Sequence, residues 1–185
     1  MHKHVMLVAD VMFVNGLPFL VTLSRGISLV TIEYLPSRTA NRLIHTLDHV
    51  VQIYSKAGFA VQTALMDMEF KKLKDKMPNM VINTIAAREH MGEIERKIRV
   101  IKERVRGTIN VLPYSTSPKL MTIMLMHFCV MWMNSFPVKL GISEKWSPRK
   151  LVARQKLDAK HHCKAPFGAY CEVHVDPDIT NTMEP

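Results

Sequence analysis

Apolar and polar positions change period several times along this chain, and each change predicts an element. Val5 to Val14 is β-branched and apolar, Leu17 to Leu23 follows Asn15-Gly16, and Ile27 to Leu35 follows Arg25-Gly26. Asn-Gly between apolar runs signals a hairpin, because both central positions of the tight turn need positive φ. The opening therefore reads as a three-stranded antiparallel meander. From Leu43 the spacing becomes helical: Leu43, Ile44, Leu47, Val50, Val51 and Tyr54 share one face, and Gly58 stands as the stop. Ala60 to Met66 returns to a buried strand ending at Asp67. A short charged helix from Glu69 to Lys76 and a short strand from Met80 to Thr84 follow.

The best-patterned segment carries Ile94, Ile98, Ile101, Val105, Ile109 and Leu112 at spacings of four and three. Glu95, Arg99, Lys102 and Arg106 form a second row, roughly 100° round the same helix. Glu95 thus heads a basic ridge at the edge of the buried stripe. Ser117-Pro118 opens a Met-rich helix to Asn134, and Phe136 to Trp146 reads as loop. Ser147 is placed as an N-cap with Pro148 at the first helical position of a short helix to Ala153. Beyond Arg154 helical periodicity is lost, with Ala169 to Val175 as one strand and Asp176 to Pro185 as a frayed tail. The order β-β-β-α-β-α-β-α is a mixed α/β layout, read as a core over residues 1–135 and a small C-terminal appendage over 136–185. A helix between strands implies parallel pairing, with Ala60–Met66 beside the first strand. Asp10 and Asp67 then sit on neighbouring strands.

At 185 residues the chain suits one main core, and 48% apolar with 22% charged residues excludes general disorder. Lys and Arg outnumber Asp and Glu by 25 to 16, a formal charge of +9 that points to a polyanionic partner, nucleic acid first. Cys129, Cys163 and Cys171 make no even disulfide set, and no signal-peptide pattern opens the chain, so a reducing, non-secreted setting is expected. The apolar run Leu120 to Met133, interrupted by His127, is too short for a membrane span.

If the fold gathers Asp10, Asp67 and Glu95, their oxygens can hold two divalent ions roughly 3.5–4 Å apart, the arrangement phosphodiester chemistry uses. Each residue also has a plainer reading. Asp10 lies in an apolar strand, where an unpaired carboxylate is costly unless it reaches the solvent edge. Asp67 suits the N-cap of the helix that follows. Glu95 suits an i,i+4 pair with Arg99, and Glu93 is its rival for the catalytic place, although the helical stripe points Glu93 farther from the core edge. Arg99, Lys102 and Arg106 suit phosphate contacts or a solvated face. His161, His162, Cys163, Cys171 and His174 do not match a common structural zinc spacing. Trp132, Trp146 and the methionines from Met121 to Met133 read as packing.

Several segments, in this order, resemble the integrase core of copia-type retrotransposon polyproteins, especially those of diatoms and related algae. They are Asp10 in the first strand, Met66-Asp67-Met68-Glu69-Phe70, and Gly92-Glu93-Ile94-Glu95-Arg96-Lys97-Ile98-Arg99. Lys145-Trp146-Ser147-Pro148-Arg149-Lys150-Leu151 and Gly168-Ala169-Tyr170-Cys171 extend the match beyond the core. The resemblance implies an RNase H-like fold with a mixed five-stranded sheet flanked by helices. It implies Asp10, Asp67 and Glu95 as catalytic metal ligands, Mg²⁺ or Mn²⁺ as cofactor, and trimming of a 3′ end followed by strand transfer into target DNA. It further implies a homo-multimer, other products of the same polyprotein as partners, and action in the nucleus. Three departures stand beside it: a shorter interval between Asp67 and Glu95, Met68 where the family has Asn-Gly, and no zinc module before the first strand. These make a truncated or decayed copy, a domesticated nucleic-acid-binding or interaction module without catalysis, and an RNase H-like nuclease the alternatives.

Overall fold

The computed structural model describes residues 4–78, 80–85, 92–114, 116–139 and 141–170. Strands β1 (His4–Val14), β2 (Leu17–Ser24) and β3 (Val30–Tyr34) form the expected antiparallel meander. Asn15 and Gly16 make the first turn at φ of 50° and 75°, the left-handed region that a tight hairpin turn demands. The second link is wider than expected, and β3 starts at Val30 rather than Ile27. Gly26 and Ser28 take positive φ, and the Ser24 N–H donates to the Leu29 carbonyl at 3.0 Å, closing a loop instead of a ladder. Ile27 and Leu29 are apolar because that loop buries them.

Helix α1 (Ala40–Lys56) crosses from β3 to β4 (Ala60–Asp67), which runs parallel to β1 with Leu7 beside Ala64 and Ala9 beside Met66. A 3-10 helix over Met68–Lys76 leads to β5 (Val81–Ile85), parallel to β4, and the sheet order is β3-β2-β1-β4-β5. Helices α2 (Gly92–Asn110) and α3 (Lys119–Asn134) follow. The sheet is buried on both faces. Leu7, Ala9 and Leu20 pack with Leu43, Leu47 and Tyr54 of α1 in one core. Val8, Met12 and Val21 pack with Ile94 and Ile101 of α2 and Met126 and Val130 of α3 in the other. Because side chains alternate along a strand, Asp10 falls on the second face, under α2.

The short helix α4 (Pro148–Ala153) starts as the sequence indicates: the Ser147 hydroxyl accepts from the Lys150 N–H at 3.3 Å, and Val152 packs into the first core. One helical turn was not expected: α5 (Ala159–His162) is capped by the Asp158 carboxylate, which accepts from the Lys160 N–H at 2.9 Å. Ala169 and Tyr170 are irregular, and the rest of the expected strand to Val175 and the tail Asp176–Pro185 lie outside the described residues. No helix among the described residues is long and apolar enough to cross a membrane.

Candidate active site

Ala9 and Met66 are the last residues paired between β1 and β4, so Asp10 and Asp67 leave the same end of two adjoining parallel strands. Asp67 is exposed, and its carboxylate accepts from the Met68 N–H at 2.6 Å. The N-cap reading of Asp67 is therefore correct as far as it goes. Asp10 is half-buried and accepts from the Val11 N–H at 2.7 Å.

The Asp10 carboxyl is held above the ordinary aspartate range. Burial is the largest cause, opposed by the Val11 N–H. The negative charges of Asp67, Glu69 and Glu95 then push further in the same direction. Four carboxylates from β1, β4, the 3-10 helix and α2 thus share one electrostatic neighbourhood. Glu95 reaches it because α2 anchors its first turn through Ile94, which is fully buried, leaving the next residue at the rim.

Glu93, the rival, is engaged elsewhere. Its carboxylate takes both arms of Arg25, with Nη2 at 2.9 Å and Nε at 3.1 Å. Glu69 is the residue sequence reasoning passed over. Its Oε2 lies 3.5 Å from Arg38 Nη1, and the available signal was its place two residues after Asp67. Along α2, Arg99 and Arg106 are exposed and Lys102 is half-buried, continuing the ridge away from Glu95.

Asp10, Asp67, Glu69 and Glu95 offer carboxylate oxygens, the donors a hard divalent cation prefers, and the repulsion felt by Asp10 is what such a cation relieves. In chemistry the residues fit Mg²⁺ or Mn²⁺. In arrangement, no group of three His, Cys, Asp or Glu among the described residues is set to hold an ion. The histidines near the C-terminal end are otherwise occupied: His161 Nδ1 lies 2.6 Å from Asp158 Oδ2, and His162 Nε2 lies 3.2 Å from Arg149 Nη2. Cys171 and His174 lie outside the described residues. Trp132 stacks on Phe136 with ring centres 6.1 Å apart, a packing role.

The fold is similar to that of the catalytic core domain of BIV integrase, with a TM-score of 0.56 at 14% identity, over 80% of this chain and 93% of that one. This is the integrase-core fold. A second match, the HTLV-2 integrase catalytic core domain in a trimeric form in complex with magnesium, has a TM-score of 0.55 at 14% identity, over 82% of this chain and 97% of that one. No protein-family model and no curated protein matches the chain. The RNase H-like α/β class expected from the sequence is therefore the class observed, and the integrase-core fold accounts for the mixed sheet and its helices.

Ionised Asp10 costs the fold stability at neutral pH, because the folded chain holds that proton more tightly than the unfolded one. The cost is absent below the ordinary aspartate value of about 3.9 and grows as pH rises through the folded value. Asp10→Asn keeps an acceptor for the Val11 N–H and removes the charge. Without divalent metal at pH 7 the variant should melt higher than the parent. The gain should fade in melts run toward pH 4; equal gain at all pH would refute the electrostatic cause.

Proposed function

We propose that this chain is the catalytic core of a DNA integrase of the copia-type retrotransposon kind, trimming a 3′ end and joining it to target DNA. The observation that carries the reading is that Asp10 and Asp67 leave the same end of adjoining parallel strands of an integrase-core fold, where the charges of Asp67, Glu69 and Glu95 act on Asp10. Asp10, Asp67 and Glu95 would hold Mg²⁺ or Mn²⁺. When bound, such ions activate the attacking oxygen and stabilise the leaving one.

The chain's own contribution is positional. Strands β1 and β4 are paired and packed on both sides, so the backbones that carry Asp10 and Asp67 start from fixed places. Helix α2 is seated by Ile94 and Ile101 and tied at its first turn by Glu93 to Arg25, which fixes the height at which Glu95 enters. Arg99, Lys102 and Arg106, spaced three and four apart, present one cationic edge to the phosphates of element ends or target DNA. Further copies of the chain and other products of the same polyprotein are the proposed partners, with the nucleus as the place of action.

Two measurements test the reading. Strand-transfer products made by Glu95→Gln as well as by the parent would remove Glu95 from the site. For DNA affinity, the Arg99→Ala, Lys102→Ala double variant should flatten the plot of log affinity against log salt by about 1.8, since each lost duplex phosphate contact removes roughly 0.9. An unchanged slope would mean the ridge does not touch DNA.

A second reading, a DNA-binding or interaction module without catalysis, is favoured by one observation. Asp10 and Asp67 each spend an oxygen on the next backbone N–H, and no three-acid grouping set to hold a metal stands among the described residues. DNA binding without Mn²⁺ binding would select it. Cleavage without joining would select an RNase H-like nuclease.

A further inference from the structure

Four carboxylates, that of Asp10 among them, share one neighbourhood, and the proposed reaction uses three of them. The fourth, Glu69, stands two residues past Asp67 in the first turn of the 3-10 helix. It is engaged by a cation from another element: its Oε2 lies 3.5 Å from Arg38 Nη1, just ahead of α1. Arg38 is in turn fixed at two further points. Its guanidinium carbon sits over the Phe13 ring, 5.4 Å from the centre, and its backbone carbonyl accepts from Lys72 Nζ at 3.1 Å. Along β1, Phe13 follows Leu7, Ala9 and Val11 in alternation onto the face that α1 covers, whereas Asp10 falls on the face under α2. The cation that engages Glu69 is therefore stationed on the side of the sheet away from Asp10.

We propose that Arg38 is a positioning residue that keeps Glu69 out of the metal centre and so leaves that centre to Asp10, Asp67 and Glu95. The proposal rests on the reading of those three acids as metal ligands and adds what limits their number. A catalytic ion needs coordination positions left open for its substrate, and in phosphodiester chemistry oxygens of the reacting phosphate take them. Carboxylate oxygens are what a hard divalent ion prefers, so a fourth acid within reach would fill such a position unless something else held it. A guanidinium suits that task, because it is charged at every working pH and its planar fork matches a carboxylate. The pair is half-exposed, with side-chain exposures of 52% for Arg38 and 38% for Glu69, and such pairs add little to folding. Its effect belongs to the site rather than to stability.

The test is a Mn²⁺ titration by calorimetry of the whole chain, of Arg38→Ala, of Glu69→Gln and of the double variant, with strand transfer measured on the same samples. Arg38→Ala should bind Mn²⁺ at least about fivefold more tightly than the parent, the lower end of coupling between linked sites, and should join DNA more slowly. Structural damage loosens a site, so tighter binding with slower joining distinguishes positioning from a merely structural role. The double variant should bind as Glu69→Gln does, because the coupling passes through that carboxylate. Arg38→Lys, which keeps the charge, should stay nearer the parent than Arg38→Ala. If the parent binds Mn²⁺, unchanged or weaker binding by Arg38→Ala, or tightening that persists in the double variant, would overturn the role of Arg38 and leave the three acids in place. Mn²⁺ binding by Arg38→Ala but not by the parent would keep that role and sink the active integrase; binding by neither would sink both.

Discussion

Asp10→Asn and Asp67→Asn should each abolish Mn²⁺ binding seen by calorimetry and lower strand transfer more than about a thousand-fold. The size follows from the chemistry: metal stabilisation of the developing charge is worth several kcal/mol, and each 1.36 kcal/mol is a factor of ten in rate. The two variants test different things. Asp10 is half-buried and already raised by its acidic neighbours, so losing its charge relieves the metal-free fold while emptying the centre. Asp67 is exposed and also caps the 3-10 helix, and Asn retains that capping acceptor. A pair of variants that fold at least as well as the parent yet bind no metal would separate function from stability, as expected where a fold keeps an unfavourable charge for use. Metal binding unaffected by either change would end the assignment of these strands to the site.

Asn134→Ala is expected to be the most damaging single change outside the acidic centre. Asn134 ends α3 and is buried, and its side chain meets the backbone of Val30, the first residue of β3: Oδ1 accepts from the Val30 N–H at 2.9 Å and Nδ2 donates to the Val30 carbonyl at 2.7 Å. The amide thus takes the place of a neighbouring strand at the sheet edge. Truncation orphans two buried backbone groups at about 1–3 kcal/mol each, a total of about 2–6 kcal/mol. Thermal unfolding should fall by about 4–24 °C, at roughly 2–4 °C per kcal/mol for a chain of this size. Asn134→Asp, which keeps the acceptor and loses the donor, should fall between. A change below about 2 °C in Asn134→Ala would show that water replaces the amide.

Much of this was legible without coordinates, because it depends on neighbours in sequence. Continuous apolar, β-branched runs marked β1, β2 and β4, spacing of three and four marked α1 and α2, Ser117-Pro118 opened α3, and the Asn15-Gly16 turn and the Ser147 cap act within a few residues. The helix between β3 and β4 implied the parallel β1–β4 pairing that sets Asp10 beside Asp67. The same reasoning failed at Ile27 and Leu29, since an apolar residue buried in a loop has the composition of one in a strand.

Local spacing thus carried most of the elements, their order, the neighbouring positions of Asp10 and Asp67, and Glu95 at the edge of the α2 stripe. The tertiary structure added what lies around them. The helical stripe already favoured Glu95 over Glu93, and the packing of α2 adds the partner of Glu93, Arg25, and brings the charge of Glu95 to bear on Asp10. Glu69, and Asn134 on the β3 edge, belong to that class. Each depends on charges and surfaces meeting through space from distant parts of the chain, and local spacing carries no record of that meeting.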